Sequence, residues 1–464
     1  MKMTRKRKSE ATAGCSNIKE EPKPFTLVFP VTFHEIASVI QSGDSNKLKE
    51  MIETKRITDI NMEERFDPFR NLLMSACDAG SIECVKVLLD NNIDMTDLIQ
   101  ITTILKSVCL RGDTIMLKLL LARGLEIDDD LIFLCFESAA ITSNNHIADI
   151  LFEHIVDVNY HDDDGDSFLR RACKAGNISL ATKLLEKGAD RDKASGRYGN
   201  SLLIATTNKL TDVVKLLLSW DAQGLRMPSA SLKLALKAAA YLGLIDIVHI
   251  LVEYGVDAEV LPHALRQSAS RNHVDVAEYL INNGADVNAI TTNERSALCL
   301  ACNLGHLVLA QLLLARGADP NLTDGRGESP LKAALFYPEI VKGLLKAGAD
   351  PNQRFATGST ALLNVVRSDH ESSLETLTTL LMYEVDPNLA HPTTGETALM
   401  SAAVALRVDM IKQLLEHGAD VTQVNSEGKS VLDMLGRTRK YREVIELCER
   451  YIECNKPGAK QVMK

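Results

Sequence analysis

The chain of 464 residues has no run near the roughly 18 apolar residues that a membrane-spanning helix needs, and its longest early candidate, Thr26 to Phe33, is interrupted by Pro30. Met1 to Ser9 is charged and no apolar core follows it, so no secretory leader is read there. The ten cysteines are therefore expected to stay reduced inside the cell. Aromatic residues are scarce, 5% of the chain with the single tryptophan Trp220, so the core must be packed from aliphatic and small side chains. Charge of one sign is not in large excess: 52 basic against 62 acidic residues leave −10, which disfavours binding of the whole molecule to a polyanion such as DNA. There is no glycine-rich phosphate loop ending in Lys-Ser/Thr, no HExxH, no nucleophile elbow and no kinase motif set.

What is present is a repeat. The chain is 45% apolar and three times the usual domain length, which leaves several domains or one array. Aligning Gly284-Ala285-Asp286 with its relatives sets a marker from Asp59 to Asp420, 361 residues over eleven intervals, a period close to 33. Six residues before each marker from Asp94 onward stands a leucine: Leu88, Leu120, Leu151, Leu184, Leu217, Leu251, Leu280, Leu313, Leu344, Leu380 and Leu414. The next position is always apolar, which is the spacing of a buried helix face.

Two residues before the marker, glycine recurs at Gly124, Gly188, Gly255, Gly284, Gly317, Gly348 and Gly418, where a helix ends in a left-handed residue. Asn92 is a tolerable substitute there, whereas Ile155, Asp221 and Glu384 predict turns of another kind. A second signature, Gly-x-Ser/Thr-x-Leu, opens at Gly165, Gly327, Gly358, Gly395 and Gly428. In the copy that begins at Gly327, Ser329 can cap a helix whose first residue is Pro330.

These residues resemble the ankyrin repeat over about Phe33 to Tyr451, most clearly at Ser296 to Asn321, Ser329 to Asn352 and Thr397 to Asp420, with about thirteen repeats and a degenerate first four. The resemblance implies an all-α repeat solenoid of helix-turn-helix units joined by short hairpins. The family histidine after the first leucine is replaced by Arg170, Cys299, Lys332, Leu363 and Met400. A short spacer from Asp257 to Leu265 predicts a truncated hairpin around Ala258 to Ala264, dividing a binding edge into Tyr160 to Met227 and Ala289 to Ser426.

Outside the array the expected organisation is a basic tail and lead-in over residues 1–32 and a short basic tail over 452–464, with Gly428 to Tyr451 as a polar cap. Arg5, Lys6, Arg7 and Lys8 resemble a nuclear-import signal, so the expected compartments are the cytoplasm and, where that signal is read, the nucleus. Lys19, in Ile18-Lys19-Glu20-Glu21, matches a sumoylation acceptor pattern or is a solvated tail lysine.

Two clusters invite a metal and neither supports one. Cys299 and Cys302 form a CxxC, but Cys77, Cys109, Cys173 and Cys302 share a register in which Ala240 also stands, the mark of a small core position. Asp162-Asp163-Asp164-Gly165-Asp166 lacks the terminal glutamate of a calcium loop and reads as an acidic turn. No cofactor and no metal are expected. Asn159, Asn288, Asn321 and Asn352 each lie eight residues after a repeat leucine; they are turn residues bonding the backbone or, as the resemblance implies, targets of an oxygen-sensing hydroxylase.

The expected function is a non-catalytic scaffold or adaptor for one or more proteins, which the resemblance places along the concave face and hairpin tips of the solenoid, with no membrane insertion and no small-molecule substrate. The alternatives are the substrate-recognition subunit of an enzyme such as a ubiquitin ligase or phosphatase, and a nuclear regulator touching nucleic acid through its tail. Candidate contacts on the hairpin tips are His161, Asp163, Asp164, Arg197, Tyr198, Arg326, Arg354 and Phe355, since tyrosine and arginine often dominate interfaces. Trp220, at a helix end, is expected to be buried between repeats.

Overall fold

The computed structural model describes residues 31–455 except 55, 58, 59, 61, 62, 65, 66, 124, 126, 142–144, 193–198, 221–225, 291–294, 326, 437 and 438. The chain divides into two compact units, Met1–His154 and Ile155–Lys464. Among the described residues, 26 α-helices form thirteen successive pairs, four in the first unit and nine in the second. The four degenerate repeats of the sequence are the four pairs of the first unit.

In that unit the helices are α1 Phe33–Gln41, α2 Ser45–Glu53, α3 Leu72–Asp78, α4 Ile82–Asp90, α5 Leu98–Arg111, α6 Thr114–Ala122, α7 Asp129–Ile141 and α8 Asn145–Glu153. A short antiparallel strand pair, β1 Glu63–Glu64 and β2 Asp67–Asn71, leads into α3. The second unit begins with α9 Phe168–Lys174, α10 Ile178–Glu186, α11 Ser201–Thr207, α12 Thr211–Ser219, α13 Ser229–Leu242, α14 Ile245–Tyr254, α15 Leu261–Arg271 and α16 Val274–Asn282. It continues with α17 Ala297–Asn303, α18 Leu307–Ala315, α19 Pro330–Ala333, α20 Pro338–Lys346, α21 Ala361–Arg367 and α22 Ser373–Leu381. The last four are α23 Ala398–Val404, α24 Val408–Glu416, α25 Val431–Leu435 and α26 Arg442–Asn455.

Within the second unit, first helices pack on first helices and second helices on second, as α9 on α11 and α10 on α12. The leucine column is what they share: Leu184, Leu217, Leu251, Leu280, Leu313, Leu344, Leu380 and Leu414 are all fully buried. Each first helix that follows the Gly-x-Ser/Thr-x-Leu signature starts on the predicted hydroxyl. Ser167, Ser329, Thr360, Thr397 and Ser430 each accept the backbone N–H three residues on, and Pro330 opens α19 where no N–H is needed.

The helix ends follow the sequence with two amendments. Gly188, Gly255, Gly284, Gly317, Gly348 and Gly418 all have left-handed φ, but so does Glu384, at φ 43, where the sequence predicts a turn of another kind. Ile155 is instead buried, and Gly124 and Asp221 lie outside the described residues. Trp220 is only half-buried, a correction to its expected burial: it leaves α12 in extended conformation, and its carbonyl accepts Arg191 Nη1.

The truncated hairpin is present as a 3-10 turn, Ala258–Val260, running straight into α15. α13 is likewise extended at its start, beginning at Ser229. First helices that follow a described hairpin, such as α9, α21 and α23, have 7 residues, whereas α13 has 14 and α15 has 11. In the first unit α5 and α7 are long in the same way, with 14 and 13 residues. All four lack the glycine-serine signature, so nothing in them stops the helix from starting early.

Adjacent repeats of the second unit are tied by an asparagine ladder. The Asn288 backbone N–H donates to Asp286 Oδ1 at 2.9 Å, its side-chain Nδ2 donates to Gly317 O at 3.0 Å, and its Oδ1 accepts Asp319 N–H at 2.9 Å. Asn321 repeats this with Gly348 O and Asp350 N–H at 2.9 and 2.7 Å. Asn352 does so with Glu384 O and Asp386 N–H, and Asn159 with Gly188 O and Asp190 N–H. Asn388 is a fifth rung, donating to Gly418 O at 3.1 Å and accepting Asp420 N–H at 2.7 Å. Each amide therefore closes the helix end of the next repeat, a role across repeats where the sequence had suggested a bond within one turn.

Cys77, Cys109, Cys173, Cys299 and Cys302 are buried among these helices. Burial pushes the Cys77 and Cys173 thiols up to about 12, Cys299 to about 11 and Cys302 well above its ordinary value. Because the unfolded thiols titrate near 9, stability from this source is complete below that pH and is lost as pH rises toward the folded values.

Three outcomes follow from this packing. Leu313→Ala should cost about 2–5 kcal/mol in urea unfolding of the full chain, against within about 0.5 kcal/mol for exposed Val308→Ala. Asn321→Ala should cost about 1 kcal/mol and speed hydrogen exchange at the Asp350 amide, while an unchanged exchange rate would remove the ladder from the account. Iodoacetamide at pH 8 should leave Cys77, Cys173 and Cys302 unlabelled by peptide mass in the native protein and label them in urea.

Candidate interaction surface

Three hairpins of the second unit share one local construction. In the first, Asp162 N–H donates to Asp166 O at 3.1 Å, Gly165 N–H to Asp162 O at 2.9 Å, and Asp166 N–H to Asp162 Oδ1 at 2.8 Å. Asp324, Gly327 and Glu328 reproduce it at 2.8, 2.9 and 2.9 Å, and Asn425, Gly428 and Lys429 do so at 3.0, 2.9 and 3.0 Å. The side chain at the first position folds beneath the turn to accept a backbone N–H. This engages two of the four acids that suggest a cation site, Asp162 and Asp166. Asp162 Oδ2 lies 3.3 Å from Arg171 Nη2, and Asp166 Oδ1 lies 2.5 Å from Arg170 Nη1.

That register corrects one candidate contact. Phe355 stands where Asp324 stands in the preceding hairpin: its N–H donates to Ser359 O at 2.9 Å and its carbonyl accepts Gly358 N–H at 2.7 Å. Its side chain is thus turned under the hairpin and is 5% exposed, so it is a core residue and not a partner contact. Arg354 is exposed beside it, with Nη1 donating to Gly358 O at 3.2 Å and across to Ala390 O of the next hairpin at 2.9 Å. His161, Asp163 and Asp164 are exposed at the first tip. Arg197, Tyr198 and Arg326, like the tail residues Arg5, Lys6, Arg7, Lys8 and Lys19, lie outside the described residues.

Neighbouring tips are linked as well as aligned. His391 Nε2 lies 3.0 Å from Thr357 O, Ser426 N–H donates to Thr394 O at 3.0 Å, and Arg295 reaches Glu328 at 2.9 Å. Gly395 shows how close the strands of adjacent hairpins run, since a Cβ there would sit 2.6 Å from the Ser426 nitrogen. Arg170 and Lys332 occupy the position of the missing histidine and turn back to Asp166 and Glu328, the latter at 3.0 Å. The result is a row of rigidly spaced turns whose outward side chains differ from repeat to repeat. Asn388 was missed among the asparagines although it lies eight residues after Leu380, the spacing that marks the other rungs.

Among the described residues no group of three or more His, Cys, Asp or Glu could hold a metal ion, and no helix is long and apolar enough to cross a membrane.

Comparison with known proteins bears on the same residues. Family models described as ankyrin repeats in three copies match residues 235–324, 265–355, 331–425 and 362–457, and one described as ankyrin repeats in many copies matches 73–121. An ankyrin repeat and KH domain-containing protein, mask-1 of Caenorhabditis elegans, is 34% identical over 163 residues, 33% of this chain and 6% of that protein. Human palmitoyltransferase ZDHHC17 is 34% identical over 211 residues, 44% of this chain and 33% of that one. Putative ankyrin repeat protein FPV031 of fowlpox virus is 36% identical over 121 residues, 24% of this chain and 35% of its own. The matches thus span about a third or less of these relatives' lengths. The human ASB11 ankyrin repeat domain superposes with a TM-score of 0.33 at 20% identity, covering 61% of this chain and 98% of its own. With the repeat models together matching more than half of the residues, the chain belongs to the ankyrin repeat family.

Proposed function

We propose that this protein is a non-catalytic scaffold or adaptor that binds partner proteins along the hairpin tips of its second unit. Ankyrin repeats indicate a protein-interaction domain. The single observation that carries the finer reading is the linked row of hairpins, whose backbone is fixed by the ladder while His161, Asp163, Asp164 and Arg354 stay exposed. A surface whose frame is already ordered loses little further entropy when a partner docks. Arg354 would contribute its aliphatic stem and remaining N–H donors, since one amine is committed to the neighbouring carbonyl.

The chain would act in the cytoplasm and, through Arg5 to Lys8, also in the nucleus; a fluorescent fusion should lose its nuclear fraction on replacement of those four residues by alanine. For the tips, quantitative affinity purification from native lysate should compare the full chain with Asp163→Lys/Asp164→Lys and with Arg354→Glu, circular dichroism showing each folded. A saturable partner reduced at least tenfold by either variant supports the scaffold reading, and recovery of a ligase or phosphatase catalytic subunit with that partner would favour a substrate-recognition subunit. Equal recovery from all forms would reject the tips as the binding edge.

A further inference from the structure

Helices of a pair run antiparallel, so the turn between first and second helix lies at the end of the pair opposite its hairpin. On three consecutive pairs, α17 to α22, that edge carries Leu304, Val308, Phe336, Tyr337 and Leu374, each between 37% and 61% exposed. Single exposed apolar residues are ordinary, but a cluster spread over adjacent turns is not.

The cluster is held in place. The Tyr337 ring lies over Gly305, where an added Cβ would stand 2.4 Å from Cε1. Phe336 is fixed through its backbone, its carbonyl accepting Ser372 Oγ at 3.0 Å, while Leu335 O accepts Thr376 Oγ1 at 3.0 Å. The Phe336 ring stacks obliquely on His370 with centroids 4.8 Å apart. Beside it, between α19 and α21, opens a cavity of about 310 Å³ lined by Leu335, Phe336, Asn364, Val365, Ser368 and Ser373. That volume is at the small end for ligand sites and suits one bulky side chain.

The charges around the cavity are not balanced. The two cations that line it are spent within the chain, Lys332 on Glu328 at 3.0 Å and Arg367 on Glu396. Glu371 and Glu375, flanking Ser373, are exposed and make no ion pair among the described residues. Glu375 sits in the first turn of α22 and favours that helix start; Glu371 precedes the helix and has no such role.

We propose that this helix-turn edge docks a segment of a partner protein that seats one bulky apolar side chain in the cavity beside Phe336 and sets lysine or arginine against Glu371 and Glu375. It shares with the scaffold reading the premise of protein recognition but not the surface. The test is selection of a random twelve-residue phage-displayed peptide library on the full chain, followed by fluorescence-anisotropy titration of the enriched peptides.

Enriched peptides should combine a large apolar residue with basic neighbours, bind at least tenfold more weakly to Phe336→Asp and to the cavity-filling Ser368→Trp, and weaken severalfold with Glu371→Lys/Glu375→Lys. Arg354→Glu should leave them unaffected, so loss of the tip reading and loss of this one are told apart. The proposal is overturned by an absence of enrichment, by an acidic consensus, or by binding indifferent to both Phe336→Asp and Ser368→Trp. A Phe336-dependent dimer in sedimentation would also overturn it, assigning the patch to a second copy of the chain.

Discussion

A helix pair of this sequence cannot bury its own leucine face, and everything else in the second unit follows from that. Leu184, Leu217, Leu251 and their successors disappear from solvent only because another pair covers them. The burial has to recur, so the chain has to repeat, and the repeat has to keep step. Small residues at the remaining core positions let the pairs approach closely, which explains both the scarcity of aromatic side chains and the placing of Cys173 and Cys302 where Ala240 also fits. Burial accounts for these thiols without any reactive role.

Burial alone does not fix the spacing of the hairpins. That falls to polar groups that the leucine column leaves free: aspartate caps its own turn, asparagine reaches across to the next helix end, and each rung positions the backbone on which the tip side chains stand. Where the hairpin signature is absent, α13 and α15 are longer first helices and the row of tips is interrupted. Core, ladder and surface thus make separate demands on separate positions.

The core was legible in the sequence because hydrophobic period is a local signal. Leucine spacing, the serine and threonine caps and most helix-ending glycines could be read directly, and the repeat number agrees with the thirteen helix pairs among the described residues. The surface was less legible, because the direction of a side chain in a turn depends on register. By residue type Phe355 suits a contact, yet the alignment with Asp324 turns it inward. Glu384 adopts a left-handed turn because the repeat on either side imposes it, against its intrinsic preference. The apolar edge at Phe336 escaped notice since its members are adjacent across repeats and distant along the chain.

The most direct test of this division of labour is a saturation mutational scan of residues 155–436 read out as folded abundance. The account predicts that intolerance to charge recurs in register at the leucine column and that loss of the asparagine amide is felt at each rung. Aspartate should be tolerated at Val308, Phe336 and the tip position Arg354, and lysine at the tip position Asp163. Intolerance without period, or abundance lost as severely at Phe336 as at Leu344, would contradict the separation of a fixed frame from a free recognition surface.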